Sequence, residues 1–194
     1  MIIAGIDESN KGQFFQSIFV SISYTNKPIK EIPYLGQSKC FRKKDLEGID
    51  LTLADLGVSY RTKEITVSQL NESKNINTLI REAMSSLIFE LKPDVVYVDS
   101  HYSDPNKLEK QLKQRNSSCL IIAKHKHDDL NSLVAIASLI AYRAKLERYG
   151  SYLKIGIDLG SGNATDPKTV KYIRENYPNI PFLRKNWSLK SVFK

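Results

Sequence analysis

Sulfur is scarce in this chain. Two cysteines in 194 residues, Cys40 and Cys119, give neither a zinc-ligand spacing nor a disulfide framework. Long apolar runs are missing too: Ser132–Tyr142 is the longest stretch, well short of the roughly 20 residues a membrane span needs. No basic cluster precedes an apolar segment near Met1, so no signal peptide is expected and the cytoplasm is the expected compartment. Acidic residues are outnumbered, 21 against 29 Lys and Arg, for a net charge of +8. That balance points to a polyanionic partner, most simply nucleic acid. Otherwise the composition, 41% hydrophobic and 26% charged, is that of an ordinary globular protein without a membrane partner.

The acids that are present fall in telling places. Ile2-Ile3-Ala4-Gly5-Ile6 is an apolar, strand-like run that ends in adjacent carboxylates, Asp7 and Glu8. Two carboxylates ~4 Å apart at an effective dielectric of ~20 repel by ~4 kcal/mol, so the pair calls for a cation. Asp94–Asp99 repeats the pattern, as an apolar strand closed by Asp99. Leu120-Ile121-Ile122-Ala123 is a third apolar run, with Asp128 and Asp129 shortly after it. A basic chain with acids gathered at strand ends has the layout of a nuclease or polymerase with a divalent-metal centre.

Periodicity gives the rest of the plan. Phe14–Tyr24 reads as a strand forming a hairpin with the first, and Ser59–Val67 as a third strand. Thr25–Asp50 reads mainly as loop with one short helix. Helices are expected over Asn75–Lys92, Lys107–Gln114, Leu130–Tyr149 (ended by Gly150) and Asp166–Asn176, with a fifth strand at Cys119–Ala123. Three strands without intervening helices should pair antiparallel, and the later strands joined through helices should be parallel. The expected fold is α/β, a mixed five-stranded sheet flanked by helices. Residues 1–194 read as one domain, with a helical extension over roughly 151–194.

Asp7, Glu8, Asp99 and Asp128 are hard oxygen donors suited to Mg²⁺ or Mn²⁺. Two such ions ~4 Å apart can activate water on one side of a phosphodiester and stabilise the leaving oxygen on the other. Taken alone, Asp128 would read as the N-cap of the helix that follows; the three other strand-end acids favour the metal. His125-Lys126-His127 reads as a solvent-exposed helix entrance, and Gly160-Ser161-Gly162 as a turn.

These segments resemble the type 2 ribonuclease H family over nearly the whole chain. Gly5-Ile6-Asp7-Glu8-Ser9-Asn10-Lys11-Gly12 is similar to D-E-A-G-R-G of ribonuclease HII and closer to D-E-S-G-K-G of ribonuclease HIII. Tyr34-Leu35-Gly36-Gln37-Ser38-Lys39 resembles the D-S-K segment with Gln37 in place of Asp, and Val96-Tyr97-Val98-Asp99 the strand of the third acid. Ala123-Lys124-His125-Lys126-His127-Asp128-Asp129 is similar to the archaeal A-K-H-K-A-D-D, and Val134-Ala135-Ile136-Ala137-Ser138 to the V-S-A-A-S helix. Gly160–Thr169, followed by Arg184-Lys185-Asn186-Trp187, resembles the archaeal ending G-S-G-Y-P-S-D-P-x-T … R-x-S-W.

The resemblance implies a ribonuclease H fold and cleavage of the RNA strand of RNA–DNA hybrids with two divalent ions, Mg²⁺ or Mn²⁺, leaving a 3′-hydroxyl and a 5′-phosphate. It makes Asp7, Glu8, Asp99 and Asp128 the catalytic metal ligands. It gives Asn10, Lys11 and Gly12 the reading of the ribose 2′-OH, and gives Ser38 and Lys39 the holding of phosphates. Asn163 occupies the place of a family tyrosine that stacks on a sugar. Asn10 stands where the family has glycine, and Asn is the residue other than glycine that best tolerates positive φ. Tyr142 and Leu146 replace the Lys and the acid of an A-K-V-x-R-D helix segment. A monomer is expected. Two other readings compete: a catalytically weak or inactive nucleic-acid-binding protein on the same fold, and an ATPase of the sugar-kinase and actin type, in which Glu8 would be out of place.

Overall fold

The apolar run after Met1 becomes β1 (Ile3–Ser9), and its residues are shielded on both faces because it sits in the middle of the sheet. In the computed structural model, which describes residues 1–36, 38 and 46–193, β1 pairs antiparallel with β2 (Ile18–Thr25), and β2 pairs antiparallel with β3 (Ser59–Ile65). On its other side β1 runs parallel to β4 (Val95–Asp99), and β4 parallel to β5 (Leu120–Lys124). The sheet order is β3-β2-β1-β4-β5. The mixed five-stranded sheet and its division into antiparallel and parallel halves follow the expectation from sequence.

Alternation along β1 decides what each face meets. Ala4 and Ile6, with Val96 and Val98 of β4, pack against α3 (Ile76–Leu91) and α4 (Pro105–Lys113) through Ile80, Met84, Leu87, Leu108 and Leu112. Ile3 and Tyr97 face the other way, toward Leu133, Ile136 and Ile140 of α5 (Ser132–Lys154) and Leu53 of α1 (Ile49–Leu56). Asp7 and Asp99 continue that second face, on the side of α5. Full burial of each large apolar side chain contributes about 2 kcal/mol.

Several boundaries differ from those read in the sequence. β2 starts at Ile18, not Phe14. Phe14 and Phe15 instead pack into a third cluster with Leu159, Ile173, Phe182 and Val192, with an isolated antiparallel bridge from Phe15 to Leu183 in place of a ladder. Val67 opens α2 (Val67–Glu72) rather than closing β3, because Thr66 and Gln69 form a reciprocal capping box. α5 runs through Gly150 to Lys154, where Tyr149 and Tyr152 join the third cluster; one interior glycine costs only about 1 kcal/mol. α6 (Pro167–Asn176) starts as expected, with Asp166 accepting from the Lys168 amide. Among the described residues no helix is long and apolar enough to cross a membrane.

Gly5 is what lets α5 lie so close to the acids. A Cβ there would stand 2.3 Å from the Leu133 carbonyl carbon and 2.3 Å from the Val134 nitrogen, main-chain atoms that have no other place to go. Gly5→Ala should therefore push α5 off the sheet, at a cost of about 3 kcal/mol or more. Urea unfolding measures it. A loss under about 1 kcal/mol, the ordinary scale of a tolerated core swap, would show that the helix has room to shift.

Candidate active site

The register of the parallel pair sets the first contact. Ile6 lies opposite Val98, so the next residues along the two strands, Asp7 and Asp99, emerge side by side. Asp7 is buried at 6% exposure under α5, where its carboxylate accepts from the Glu8 amide at 2.7 Å. Glu8 leaves the strand on the opposite face, and one of its carboxylate oxygens, Oε2, is buried with no hydrogen-bond partner among the described residues.

Asp128 arrives by a different route. Between β5 and α5 the chain makes a short 3₁₀ turn, His127–Asp129, entered through Lys126 at φ 52°. The His127 amide donates to Asp99 Oδ1 at 2.7 Å, and the His127 ring lies 3.1 Å from the Val98 carbonyl, edge-on to Tyr97. This pins the turn to the end of β4 and brings Asp128 near enough to Asp99 to raise its pKa. The cap of α5 is Asn131, which accepts from the Leu133 and Val134 amides, so the capping role weighed for Asp128 falls to another residue. His127 is buried rather than solvent-exposed, which corrects the reading of the histidine stretch as an exposed helix entrance. His125 is exposed, its ring against the Ser100 and Ser103 carbonyls.

The electrostatics are those of a centre short of positive charge. Burial, then the neighbouring Glu8 and Asp99, hold the Asp7 carboxyl well above the usual range. Burial pushes Glu8 up to about 7 against the opposing pull of Lys11. Asp99 is raised first by burial and then by Asp128. Among the described residues, no three His, Cys, Asp or Glu side chains are gathered tightly enough to hold an ion as they stand. The donor set nevertheless suits a hard cation: carboxylates only, mutually repelling, with an orphaned Glu8 oxygen.

The other expected site residues surround this centre. Asn10 takes φ 77°, as its place in a glycine position requires, and its side-chain amide donates to the Phe15 and Ser17 carbonyls. Lys11 reaches back to the His101 carbonyl at 2.9 Å, while Gly12 is exposed with open space around it. Ser38 accepts from the Ser138 hydroxyl at 3.0 Å, and Ser138 is near enough to Asp7 to lower its pKa. Lys39, Gln37 and Cys40 are outside the described residues. Asn163 is exposed in the turn after Gly162, and the Phe14 amide donates to the Gly162 carbonyl at 2.8 Å, tying that turn to the one that follows β1. Ser138 was not assigned a role from sequence, although it closes the Val134–Ser138 motif; nothing in a helical serine says which strand it will face.

Comparison with known proteins places this geometry. The family model described as Ribonuclease HII matches residues 4–190. The ribonuclease HII of Archaeoglobus fulgidus is 31% identical over 185 residues, which span 89% of this chain and 85% of that protein. Ribonuclease H2 from Pyrococcus horikoshii OT3 matches with a TM-score of 0.86 at 26% identity, covering 100% of this chain and 96% of that one. The structure of the PCNA:RNase HII complex from Archaeoglobus fulgidus matches with a TM-score of 0.82 at 27% identity, covering 95% of this chain and 93% of that one.

The raised carboxyls carry a stability signature. Glu8 binds its proton more tightly folded than unfolded, so between its ordinary value of 4.5 and about 7 the folded state holds the extra proton. Stability is then lost as pH rises through that window. In chelator-treated buffer, wild type should lose more unfolding free energy than Glu8→Gln between about pH 5 and about pH 8. Equal losses would show that Glu8 ionises without penalty.

Proposed function

This chain belongs to the ribonuclease HII family, and from that membership we infer how its residues cut the RNA strand of an RNA–DNA hybrid. It is a metal-dependent endoribonuclease. In our reading Asp7, Glu8, Asp99 and Asp128 hold two divalent ions, Mg²⁺ or Mn²⁺. Bound there, the ions supply an activated water and charge to stabilise the leaving oxygen, which gives 3′-hydroxyl and 5′-phosphate ends.

The chain's own residues do the rest. The observation that carries this reading is the side-by-side emergence of Asp7 and Asp99 from neighbouring parallel strands, with no counter-charge except Lys11 among the leading influences on the pair Asp7 and Glu8. The Glu8 amide holds the Asp7 carboxylate, and the His127 amide holds that of Asp99, so both are oriented before any ion arrives. The turn Asn10-Lys11-Gly12 reads the 2′-OH at the cut, the contact by which a protein tells RNA from DNA. Ser38 and Lys39 hold backbone phosphates, and Asn163 lies along the flanking sugar. Residues 1–194 act as one domain, with the 151–194 extension packed beneath the turn at residues 10–17. We take the chain to be a cytoplasmic monomer. The Archaeoglobus relative solved in complex with PCNA makes such a partner the first alternative to test for in a sizing experiment.

Replacing Asp99 or Asp128 by Asn keeps size and removes a negative ligand. Each substitution should lower cleavage of a labelled hybrid by about two orders of magnitude or more while the chain stays folded. Near-normal cleavage by Asp128→Asn would remove that residue from the centre.

Binding should depend steeply on salt, because the chain carries a net charge of +8. The logarithm of hybrid affinity should fall with the logarithm of salt concentration, by about 0.7 to 0.9 per phosphate neutralised. Lys11→Ala should flatten that slope by about one such increment. An affinity indifferent to salt would exclude an electrostatic nucleic-acid surface.

A further inference from the structure

Among the described residues Arg184 is the largest fully buried side chain, at 0% exposure. No carboxylate pairs with it among the described residues. Its guanidinium instead donates to four main-chain carbonyls of the turn after β1: Gln16 at 2.7 Å from Nε, Lys11 at 2.9 Å, Asn10 at 2.7 Å and Ser17 at 3.3 Å. Its own amide donates to the Phe14 carbonyl at 2.9 Å. Trp187 covers the guanidinium face with its ring centroid 5.2 Å away.

Arg184 is itself held in place. Asn71 accepts from the Lys185 amide and donates to the Leu183 carbonyl, while the Asn186 side chain donates to the carbonyls of Leu70, Asn71 and Ser73. The segment 183–186 is thus strapped to α2 and the chain just after it, with one cation projecting into the turn. Burying an unpaired charge costs several kcal/mol, far more than covering a carbonyl requires. A guanidinium is the side chain whose planar fork can meet several carbonyls at once.

The consequence lies on the far side of the peptide planes. In a trans peptide the C=O and the following N–H point in opposite directions. Drawing the Asn10 and Lys11 carbonyls inward turns the amides of Lys11 and Gly12 outward. Among the described residues neither amide has a hydrogen-bond partner. The same turn adjoins Glu8 and carries Lys11, the cation among the leading influences on it. Arg184 does not figure among the leading influences on the Asp7, Glu8 or Asp99 carboxyls, so its effect on the site is exerted through the main chain.

We infer that Arg184 is a positioning residue for RNA recognition: by gathering the carbonyls of Asn10 and Lys11 it presents the Lys11 and Gly12 amides to a sugar hydroxyl, and so sets discrimination between RNA and DNA without contributing to metal binding. The inference rests on the reading of Asn10-Lys11-Gly12 given above and assigns what holds that turn in its working shape.

Three quantities are measured for wild type, Arg184→Ala and Asn71→Ala. They are binding to an RNA–DNA hybrid and to a DNA duplex of the same sequence, both by fluorescence anisotropy with Ca²⁺ in place of the catalytic ion, and Mn²⁺ affinity by calorimetry. Arg184→Ala should lose about tenfold in hybrid affinity, the scale of one lost hydrogen bond, while duplex DNA affinity and Mn²⁺ affinity stay within about twofold. Millimolar guanidinium should restore part of the hybrid preference to Arg184→Ala and leave wild type unchanged. Asn71→Ala, which loosens the strap without touching the turn, should lose about threefold in preference and serves alone if Arg184→Ala does not fold. If wild type prefers the hybrid and the folded variants keep that preference, the inference falls and the reading of the turn stands. If Mn²⁺ affinity falls together with hybrid affinity, Arg184 supports the fold generally and the inference falls. A wild type that binds hybrid and duplex alike removes the reading of the turn and the inference with it.

Discussion

Ionised carboxylates need either water or a cation, and the ends of β1 and β4 offer Asp7 and Asp99 very little of the first. Asp7 is pressed under α5, Asp99 is half-buried beside it, and an oxygen of Glu8 is enclosed without a partner among the described residues. Each feature that creates this shortage is structural. Gly5 lets α5 approach the strand, the parallel register aligns Asp7 with Asp99, and the His127 amide locks the turn carrying Asp128 against the end of β4. Stability is given up at this one point, and in the proposed reading the chain would regain it on binding ions there.

Around the acids the structure is rigid where position matters. The sheet supplies two carboxylates from adjacent strands. Two turns, at residues 10–17 and 160–163, are joined by the Phe14–Gly162 hydrogen bond. The C-terminal segment braces the first turn from beneath through Arg184 and Trp187. Residues nearly the full length of the chain apart thus shape one surface, and the third apolar cluster, from Phe14 to Val192, is what keeps them together. In this arrangement the parts that we propose touch substrate lie in turns, while the parts that hold those turns lie in packed or hydrogen-bonded segments.

The strands and the long helices were legible in the sequence because their signals are local. α3 shows it best: Asn75 caps it, helical spacing fills it, and it ends at Lys92 in the left-handed region just before Pro93. The strand-end acids were legible for the same reason, since an apolar run ending in carboxylates has few bland explanations. α2 was missed although its capping box, Thr66-x-x-Gln69, is a readable start signal, because Ile65 and Val67 extend the β-like alternation across it. Phe14 and Phe15 looked like strand residues, yet their burial depends on partners from Leu159 to Val192, far beyond any local window. The burial of His127 and the grip of Arg184 on the first turn are of the same long-range kind. What local pattern can show is that a residue is unusual for its place, not what it will meet.

The central claim, that Asp7, Glu8, Asp99 and Asp128 close around divalent ions, is tested most directly by anomalous diffraction from crystals soaked in Mn²⁺. Two anomalous peaks ringed by these four carboxylates, with the Glu8 oxygen no longer unpartnered, are the predicted result. Manganese bound elsewhere, or four carboxylates left unligated at saturating ion, would contradict the account.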